Sequence, residues 1–335
     1  MKLRLGVVNL GTSWQTRYAP ALRTLNEWFE VRAIYEPVGH RAEQAAREFH
    51  ARTEDGFRVL TQGEDIDAIA ILAPAWHGWL PILAACDAGK AVYCAVDLNL
   101  DPEKVRYVKQ RVEETGIAFT VELPCRLAPA TLRLKELIAT QLGQPRLLFC
   151  HRRYVPDSTR SGGRSPAWRM RDLVEAIDWC RYLVDREATS VVGVSHRRGE
   201  GVCDDDYQML SLEFGVGQAG QYGAVAQISC GRYIPAEWHE AASFRPPADL
   251  QVACEKGIAF IDLPSKLVWF DSAGRHMESL DSERPVDEQL LRQFHRSVTS
   301  LVRDTSSLED GYRAFSIAID AERSREQGRR IALTF

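Results

Sequence analysis

No two of the eight cysteines, at positions 86, 94, 125, 150, 180, 203, 230 and 254, stand closer than eight residues, and there is no C-x-x-C. Zinc-type ligand spacing is therefore absent, no metal site is expected, and the dense cysteine framework of a small secreted domain is excluded. The thiols read as reduced and mostly buried, which fits a cytoplasmic protein. Charge of one sign is lacking too: 42 Lys and Arg stand against 46 Asp and Glu, a net charge of −4. That excludes the basic excess of a nucleic-acid or anionic-membrane partner. There is no internal repeat and no low-complexity tract. Met1–Val8 enters a strand pattern directly, without a long apolar region or small-residue cleavage site, so no secretory leader is expected. Ala68–Cys86 has no charged residue and approaches the length of a membrane span, but Pro74, His77, Gly78 and Pro81 break it into a strand, a turn and a helix start.

What remains is a globular composition, 45% hydrophobic and 26% charged, in 335 residues. Disorder is excluded as the main state, and the length calls for two domains. In the first ~120 residues strands alternate with helices about six times, which implies a doubly wound parallel sheet covered on both faces. The strands are Leu3–Val8, Val31–Tyr35, Ala68–Leu72, Ala91–Cys94 and Ile117–Val121; the helices are Trp14–Phe29, His40–His50, Gly78–Ala88 and Pro102–Glu114, the last with Asp101 as N-cap. Later strands follow in series at 147–154, 189–194, 207–214, 224–231, 250–253, 258–262 and 267–270, with one helix at about 167–184 among them. Such a series predicts a mostly antiparallel sheet with helices on one face. Two helices, at about 285–303 and 308–327, close the chain. The expected division is residues 1–123, a Rossmann dinucleotide-binding domain, and 124–335, an α+β domain for substrate and oligomerisation.

A dinucleotide on such a sheet sits at the C-terminal strand ends, over a G-x-G-x-x-G turn. The matching residues are Asn9-Leu10-Gly11-Thr12-Ser13-Trp14, where only the middle glycine is kept. Asn9 tolerates positive φ, Thr12 and Ser13 offer hydroxyls and amides to phosphate, and Trp14 stands where a glycine would allow close helix packing. Glu36 lies 25 residues after Gly11, at the end of the second strand. It reads either as an acceptor for the ribose hydroxyls of NAD, repelling the 2′-phosphate of NADP, or as a solvated strand-end acid; His40 and Arg41 soften the preference for NAD. Ala73-Pro74 can wall the nicotinamide ribose, with His77 opening the next helix or facing solvent.

With Leu5–Trp14, Val31–Ala46, Asp65–Asn99, Arg126–Pro129, Ala167–Arg169, Ile177-Asp178, Ser307–Ala314 and Gly328–Ile331 in this order, the chain resembles the glucose–fructose oxidoreductase / inositol dehydrogenase (Gfo/Idh/MocA) family over nearly its whole length. The resemblance implies a nicotinamide cofactor, a sugar or polyol substrate, an open-faced second sheet and a homo-oligomer, dimer or tetramer, built on it. Departures are equally plain. Where the family usually reads Glu-Lys-Pro after the fifth strand, this chain reads Ala95-Val96-Asp97, and valine has no proton to exchange. The family's middle-helix aspartate and histidine fall on Arg171 and Glu175; only Asp178 matches.

Arg171, Glu175 and Asp178 share one helix face at i, i+4 and i+7, which the resemblance turns toward the cofactor cleft. Glu175 is then the candidate proton acceptor, Arg171 binds an anionic substrate or holds Glu175, and Asp97 assists from the strand end; the other reading is a salt-bridged helix face. His151–Tyr154 and Tyr233, Trp238 and His239 suit sugar recognition or a packed interface. Arg160–Ser165 reads as a site-covering loop or a plain connection. Two functions stay open: an NAD(P)-dependent oxidoreductase with non-standard catalytic residues, or an inactive relative serving as a cofactor- or sugar-binding regulator or structural subunit.

Overall fold

The computed structural model describes residues 1–73, 77–95, 102–153, 166–196, 207–215, 223–231, 240, 244, 246–280, 284–300 and 306–335. They form two compact units, 1–124 with 284–312 and 125–283 with 313–335.

The first unit is built on six parallel strands: β1 (Leu3–Val8), β2 (Phe29–Tyr35), β3 (Arg52–Thr53), β4 (Ala68–Ile71), β5 (Ala91–Cys94) and β6 (Phe119–Val121). Their order is β3-β2-β1-β4-β5-β6. Strand order reverses between β1 and β4, the switch point where doubly wound sheets take their ligands. β4 and β5 are buried at every residue, as central parallel strands must be. Between the strands run α1 (Ala19–Thr24), α2 (Gly39–Phe49), α3 (Phe57–Gln62), α4 (Leu80–Asp87) and α5 (Pro102–Thr115). One face of the sheet packs Ile69, Ile71 and Val92 against Leu60, Ile82, Val108 and Val112 of α3, α4 and α5. α3 crosses so close to β1 that a Cβ on Gly6 would lie 2.4 Å from Leu60 Cδ2.

Three local readings change. The helix expected over 14–29 is a wide π-turn, Trp14–Tyr18, followed by the short α1. Pro20 has no N–H to give Thr16, and Ala19 N–H reaches back five residues to the Trp14 carbonyl. Gly78 sits at φ +57°, so α4 begins at Leu80 and His77 lies in the preceding turn. Residues 52–62 hold β3 and α3, elements too short to announce themselves by periodicity. The Asp101 N-cap lies outside the described residues.

The boundary after residue 123 needs a larger correction, because 284–312 group with the first unit. There α8 (Val286–Thr299) buries Leu290, Leu291 and Phe294. The Phe294 ring stacks on Phe29 at 6.4 Å and meets Tyr93 at 5.6 Å. The start of α9 (Ser306–Gln327) closes the sheet edge: Val121 N–H donates to Ser307 Oγ at 2.8 Å.

Among the described residues the second unit holds nine strands: β7 (Pro145–Arg153), β8 (Ala188–His196), β9 (Tyr207–Phe214), β10 (Val225–Gly231), β11 (Leu250–Cys254), β12 (Ile258–Asp262), β13 (Lys266–Asp271), β14 (Gly274–Ser279) and β15 (Ile331–Ala332). Their order is β14-β13-β12-β11-β7-β10-β9-β8-β15. Among the described residues β7 and β10 pair in parallel and the other pairings are antiparallel, so the sheet is mostly antiparallel as the sequence predicts. α6 (Pro129–Leu137), α7 (Pro166–Val184) and the later part of α9 lie along one face. At β8 a Cβ on Gly193 would fall 2.1 Å from the Ala321 carbonyl oxygen, so only glycine lets α9 approach. The opposite face has no helix among the described residues. Register places Leu147, Val194, Met209, Phe270 and Met277 on it, each more than 40% exposed. Among the described residues no helix is long and apolar enough to cross a membrane.

Because Phe294 is fully enclosed, Phe294→Ala is expected to cost the first unit about 3–5 kcal/mol. The measurement is its denaturant midpoint, and an unchanged midpoint would detach α8 from this core.

Candidate active site

After β1 the chain turns through Asn9 at φ +57° and Gly11 at φ +68°. Asn9 is buried; its N–H donates to the Tyr35 carbonyl at 2.9 Å and its Nδ2 to the Ala73 carbonyl at 3.0 Å. These bonds join the ends of β1, β2 and β4 into one rim. A Cβ on Gly11 would lie 3.0 Å from the Ala73 Cβ and 3.5 Å from the Leu72 carbonyl oxygen, so the turn hugs the end of β4. Asn9 Oδ1 is buried and receives no hydrogen bond from a described residue. Thr12 is exposed and Ser13 half-buried at the head of the π-turn. Trp14 is buried, its ring 5.5 Å from Phe49 of α2, so it fills the space between helices that the missing glycine would have closed. Ala95, fully buried, follows β5 and donates its N–H to Ile71 O at 3.0 Å.

Glu36 is not a solvated strand-end acid. It is buried, and its Oε2 accepts the Leu10 N–H at 2.8 Å, which ties the end of β2 to the turn. Arg41, in the first turn of α2, lies 3.3 Å from Glu36 Oε1 and also bonds the Gly11 carbonyl. On the other side of β2, Tyr35 Oη and His77 Nε2 share a hydrogen bond of 3.0 Å, with Phe57 packed on the imidazole at 5.0 Å. Burial holds the His77 pKa below its ordinary 6.5. The rim therefore carries a neutral imidazole at neutral pH.

One polar cluster escaped the sequence reading. Glu122, next after β6, is completely buried. Its Oε2 accepts the Tyr18 hydroxyl at 2.7 Å, and its other oxygen meets Arg17, which also bonds Asp287 of α8 at 2.9 Å through Nε. Burial opposes the Arg17 charge, but Glu122 and Asp287 together raise its pKa. The π-turn is thereby pinned at both ends, since Arg17 N–H also bonds the Ser13 carbonyl at 2.9 Å. Nothing in spacing pairs Arg17 and Tyr18 with a residue a hundred positions away.

In the second unit, α7 does bring Arg171 and Glu175 together: Nε donates to Oε1 at 2.9 Å, and the Glu175 side chain is 10% exposed. Asp178 is committed elsewhere. Its Oδ2 accepts Arg126 Nε at 2.7 Å and its Oδ1 accepts Arg126 Nη2 at 2.5 Å, with Arg181 at 3.5 Å. Nearby, Arg152 donates to the buried Cys125 thiol at 2.9 Å and lies over Trp179. His151 points to the open face and bonds Ser229 at 2.8 Å. Pro74, Val96, Asp97, Tyr154, Arg160–Ser165, Tyr233, Trp238 and His239 lie outside the described residues.

A parallel sheet in this order, with a buried acid at the end of the second strand and a left-handed turn after the first, defines a dinucleotide-binding domain. Residues 3–123 match the sequence profile of the GFO_IDH_MocA family, an oxidoreductase family with an NAD-binding Rossmann fold. The scyllo-inositol 2-dehydrogenase (NAD(+)) of Bacillus subtilis is 31% identical over 220 residues, covering 61% of this chain and 62% of that protein. The matched stretches span less than two thirds of the curated relatives' own length. Among solved structures, an oxidoreductase of Thermotoga maritima has a TM-score of 0.80 at 19% identity, covering 99% of this chain and 98% of the other. A putative myo-inositol dehydrogenase of Sinorhizobium meliloti has a TM-score of 0.73 at 20% identity, covering 99% and 100%. At such identities the likeness is one of fold, and it extends to the second unit with its antiparallel sheet.

The depressed His77 pKa has a readable sign. The folded protein favours the neutral ring, so its contribution to stability is complete above the ordinary 6.5 and is lost as pH falls through the depressed value. An NMR titration of the His77 ring protons is expected to give a midpoint below 6.5, and Tyr35→Phe to alter it; a midpoint at or above 6.5 would contradict the packed geometry.

Proposed function

We propose that this protein is an NAD-dependent oxidoreductase acting on a CH–OH group of a sugar or polyol. The observation that carries the reading is the buried Glu36 carboxylate bonded to the Leu10 amide, since it places an acceptor for ribose hydroxyls beside the turn that would hold a pyrophosphate. The residues fit the coenzyme in two further ways. The Gly11 position has no room for a side chain on its Ala73 flank, and the buried Asn9 Oδ1 has an acceptor to offer. Asn9, Gly11, Thr12, Ser13 and Trp14 form the proposed phosphate turn, Glu36 is proposed to take the ribose, Ala73, His77 and Ala95 line the strand ends, and Pro74 is kept as a proposed member of the same site. NAD supplies the hydride acceptor when bound.

The chain must supply a base for the departing hydroxyl proton. Glu175 is the proposed acceptor: it is largely shielded from water, and Arg171 fixes one carboxylate oxygen while the second can take a proton. Arg171 thus orients the base, and an anionic group on the substrate is its alternative partner. Asp178, gripped by Arg126, acts as a positioning residue that locks α7 in rotation. Asp97 remains a proposed helper at the fifth strand end. The relative named an NAD(+)-dependent inositol dehydrogenase supports a cyclic polyol as the first substrate to try.

The chain is also proposed to work in the cytoplasm as a homo-oligomer, a dimer or tetramer assembled through the open sheet face. Five large apolar side chains exposed on one face support this.

Glu175→Gln is expected to lower turnover by about 10²–10⁴-fold with NADH binding retained in a fluorescence titration. Turnover unchanged by the substitution would remove Glu175 from the mechanism, and a folded wild type that binds NADH without turning over any polyol would favour the regulator reading. Separately, Val194→Glu with Met277→Glu is expected to shift the sedimentation coefficient to that of a single chain; no shift would place assembly elsewhere.

A further inference from the structure

A doubly wound sheet takes one mononucleotide on each side of its switch point. On the dinucleotide reading, Glu36 at the end of β2 assigns the adenosine half to β1–β3, which leaves β4–β6 to the nicotinamide half. The buried acid Glu122 belongs to that second half. Cys94 of β5 pairs with Val121 of β6, and the Glu122 N–H donates to the Cys94 carbonyl at 2.9 Å, so Glu122 stands beside Ala95 at the strand ends.

The charges around Glu122 do not balance. Its carboxylate meets Arg17 and accepts the Tyr18 hydroxyl at 2.7 Å, while Arg17 Nε donates to Asp287 Oδ1 at 2.9 Å. Among the described residues, two carboxylates thus share one guanidinium, and the group carries one negative charge in excess. Tyr93 stands two residues before Ala95, on the same face of β5, and its buried phenol registers the sign. Burial raises its pKa most, Glu122 raises it further, and Arg17 offsets only part. A charge enclosed by protein acts more strongly on its surroundings than one in water. The oxidised nicotinamide ring is a pyridinium cation and the reduced ring is neutral, so a fixed negative charge in this half stabilises the first and is indifferent to the second.

We propose that the Glu122–Arg17–Asp287 cluster sets the preference of the site for the oxidation state of its coenzyme, tightening NAD+ relative to NADH through its excess negative charge. The proposal rests on the dinucleotide reading of the Asn9–Trp14 turn. Its consequence is direction: oxidised coenzyme is held for the hydride, and the ring loses its electrostatic attraction once reduced. No bond changes in the preference itself, so it is read by binding alone.

The test is calorimetric titration of the full chain with NAD+, NADH and ADP-ribose, which lacks the ring, with circular dichroism as the check on folding. Glu122→Gln and Asp287→Asn each remove the excess charge, one inside the cluster and one at its partly exposed side. Both are expected to raise the ratio of the NAD+ Kd to the NADH Kd by about three- to tenfold, the scale of one partly screened charge. Arg17→Gln adds to the excess and should move the ratio the other way, whereas Arg17→Lys keeps the charge and should leave it within about twofold. This reversal of sign is a readout that loss of packing cannot produce, and Asp287→Asn keeps the test open if Glu122→Gln fails to fold. Affinity for ADP-ribose should stay within about twofold in Glu122→Gln and Asp287→Asn. An unchanged ratio in these two variants, or NAD+, NADH and ADP-ribose weakened alike, would overturn the proposal and leave the cluster as a brace for the π-turn. Folded wild type that binds none of the three ligands would overturn the coenzyme reading itself.

Discussion

Asn9 and Gly11 both adopt left-handed backbone conformations, and Ala73 closes the space on the Gly11 flank. The rim of the N-terminal unit depends on this turn. It frees the Leu10 amide to face Glu36 and sends the Asn9 side chain to the Ala73 carbonyl, so three strand ends are held in one plane by single hydrogen bonds. An ordinary residue at position 11 would be strained in backbone and crowded in space, and would move the Glu36 acceptor with it. The turn does this without the first and third glycines of the usual pattern. Asn9 supplies the left-handed conformation at some cost in strain, offset by its own hydrogen bond, and Trp14 converts the tight helix start into a widened one packed on Phe49.

Both units bury a carboxylate, and both neutralise it with arginine from distant sequence. Glu122 takes Arg17 and the Tyr18 hydroxyl; Asp178 takes Arg126 and Arg181. Removing water from such charges is expensive, and a well-packed apolar group would serve stability as well. What the ion pairs add is direction: Arg17 fixes the π-turn against β6 and α8, and Arg126 fixes α7 against the segment that enters α6. Arg181 extends the second chain to Glu187, whose carboxyl is opposed by burial but held below the usual range by Arg181 and Arg313. Glu175, one turn of helix before Asp178, meets the Arg171 guanidinium on one oxygen. That difference in commitment is the ground on which Glu175, and not Asp178, is proposed as the proton acceptor.

Much of this was legible in the residues. Buried parallel strands such as β4 and β5 have no polar face to confuse the pattern, and serial strands after residue 145 could only pair with one another. The Glu36 position followed from strand arithmetic, and the Arg171–Glu175 pair from helical spacing. Other features were out of reach because long-range packing decides them. α8 follows strands of the second unit in sequence, and nothing local says that Phe294 will lie between Phe29 and Tyr93. The start of α4 turned on the backbone sign of Gly78, which composition does not report. The exposed Arg41 looked like a weak modifier of coenzyme preference; its contact with the Gly11 carbonyl is a tertiary fact.

The nine-stranded sheet ends in β14 on one side and β15 on the other. β14 opens at Gly274, with φ +118°, and carries Arg275, His276 and Glu278, while β15 has only two residues. Charged side chains and a short strand are poor templates for another chain's backbone. Continuation of the hydrogen-bond ladder from molecule to molecule is thus discouraged at both borders. An encounter between sheets of this protein is steered to side-chain contact across their broad surfaces, which makes closed assemblies of a few copies accessible and open-ended fibres of stacked ladders unfavourable.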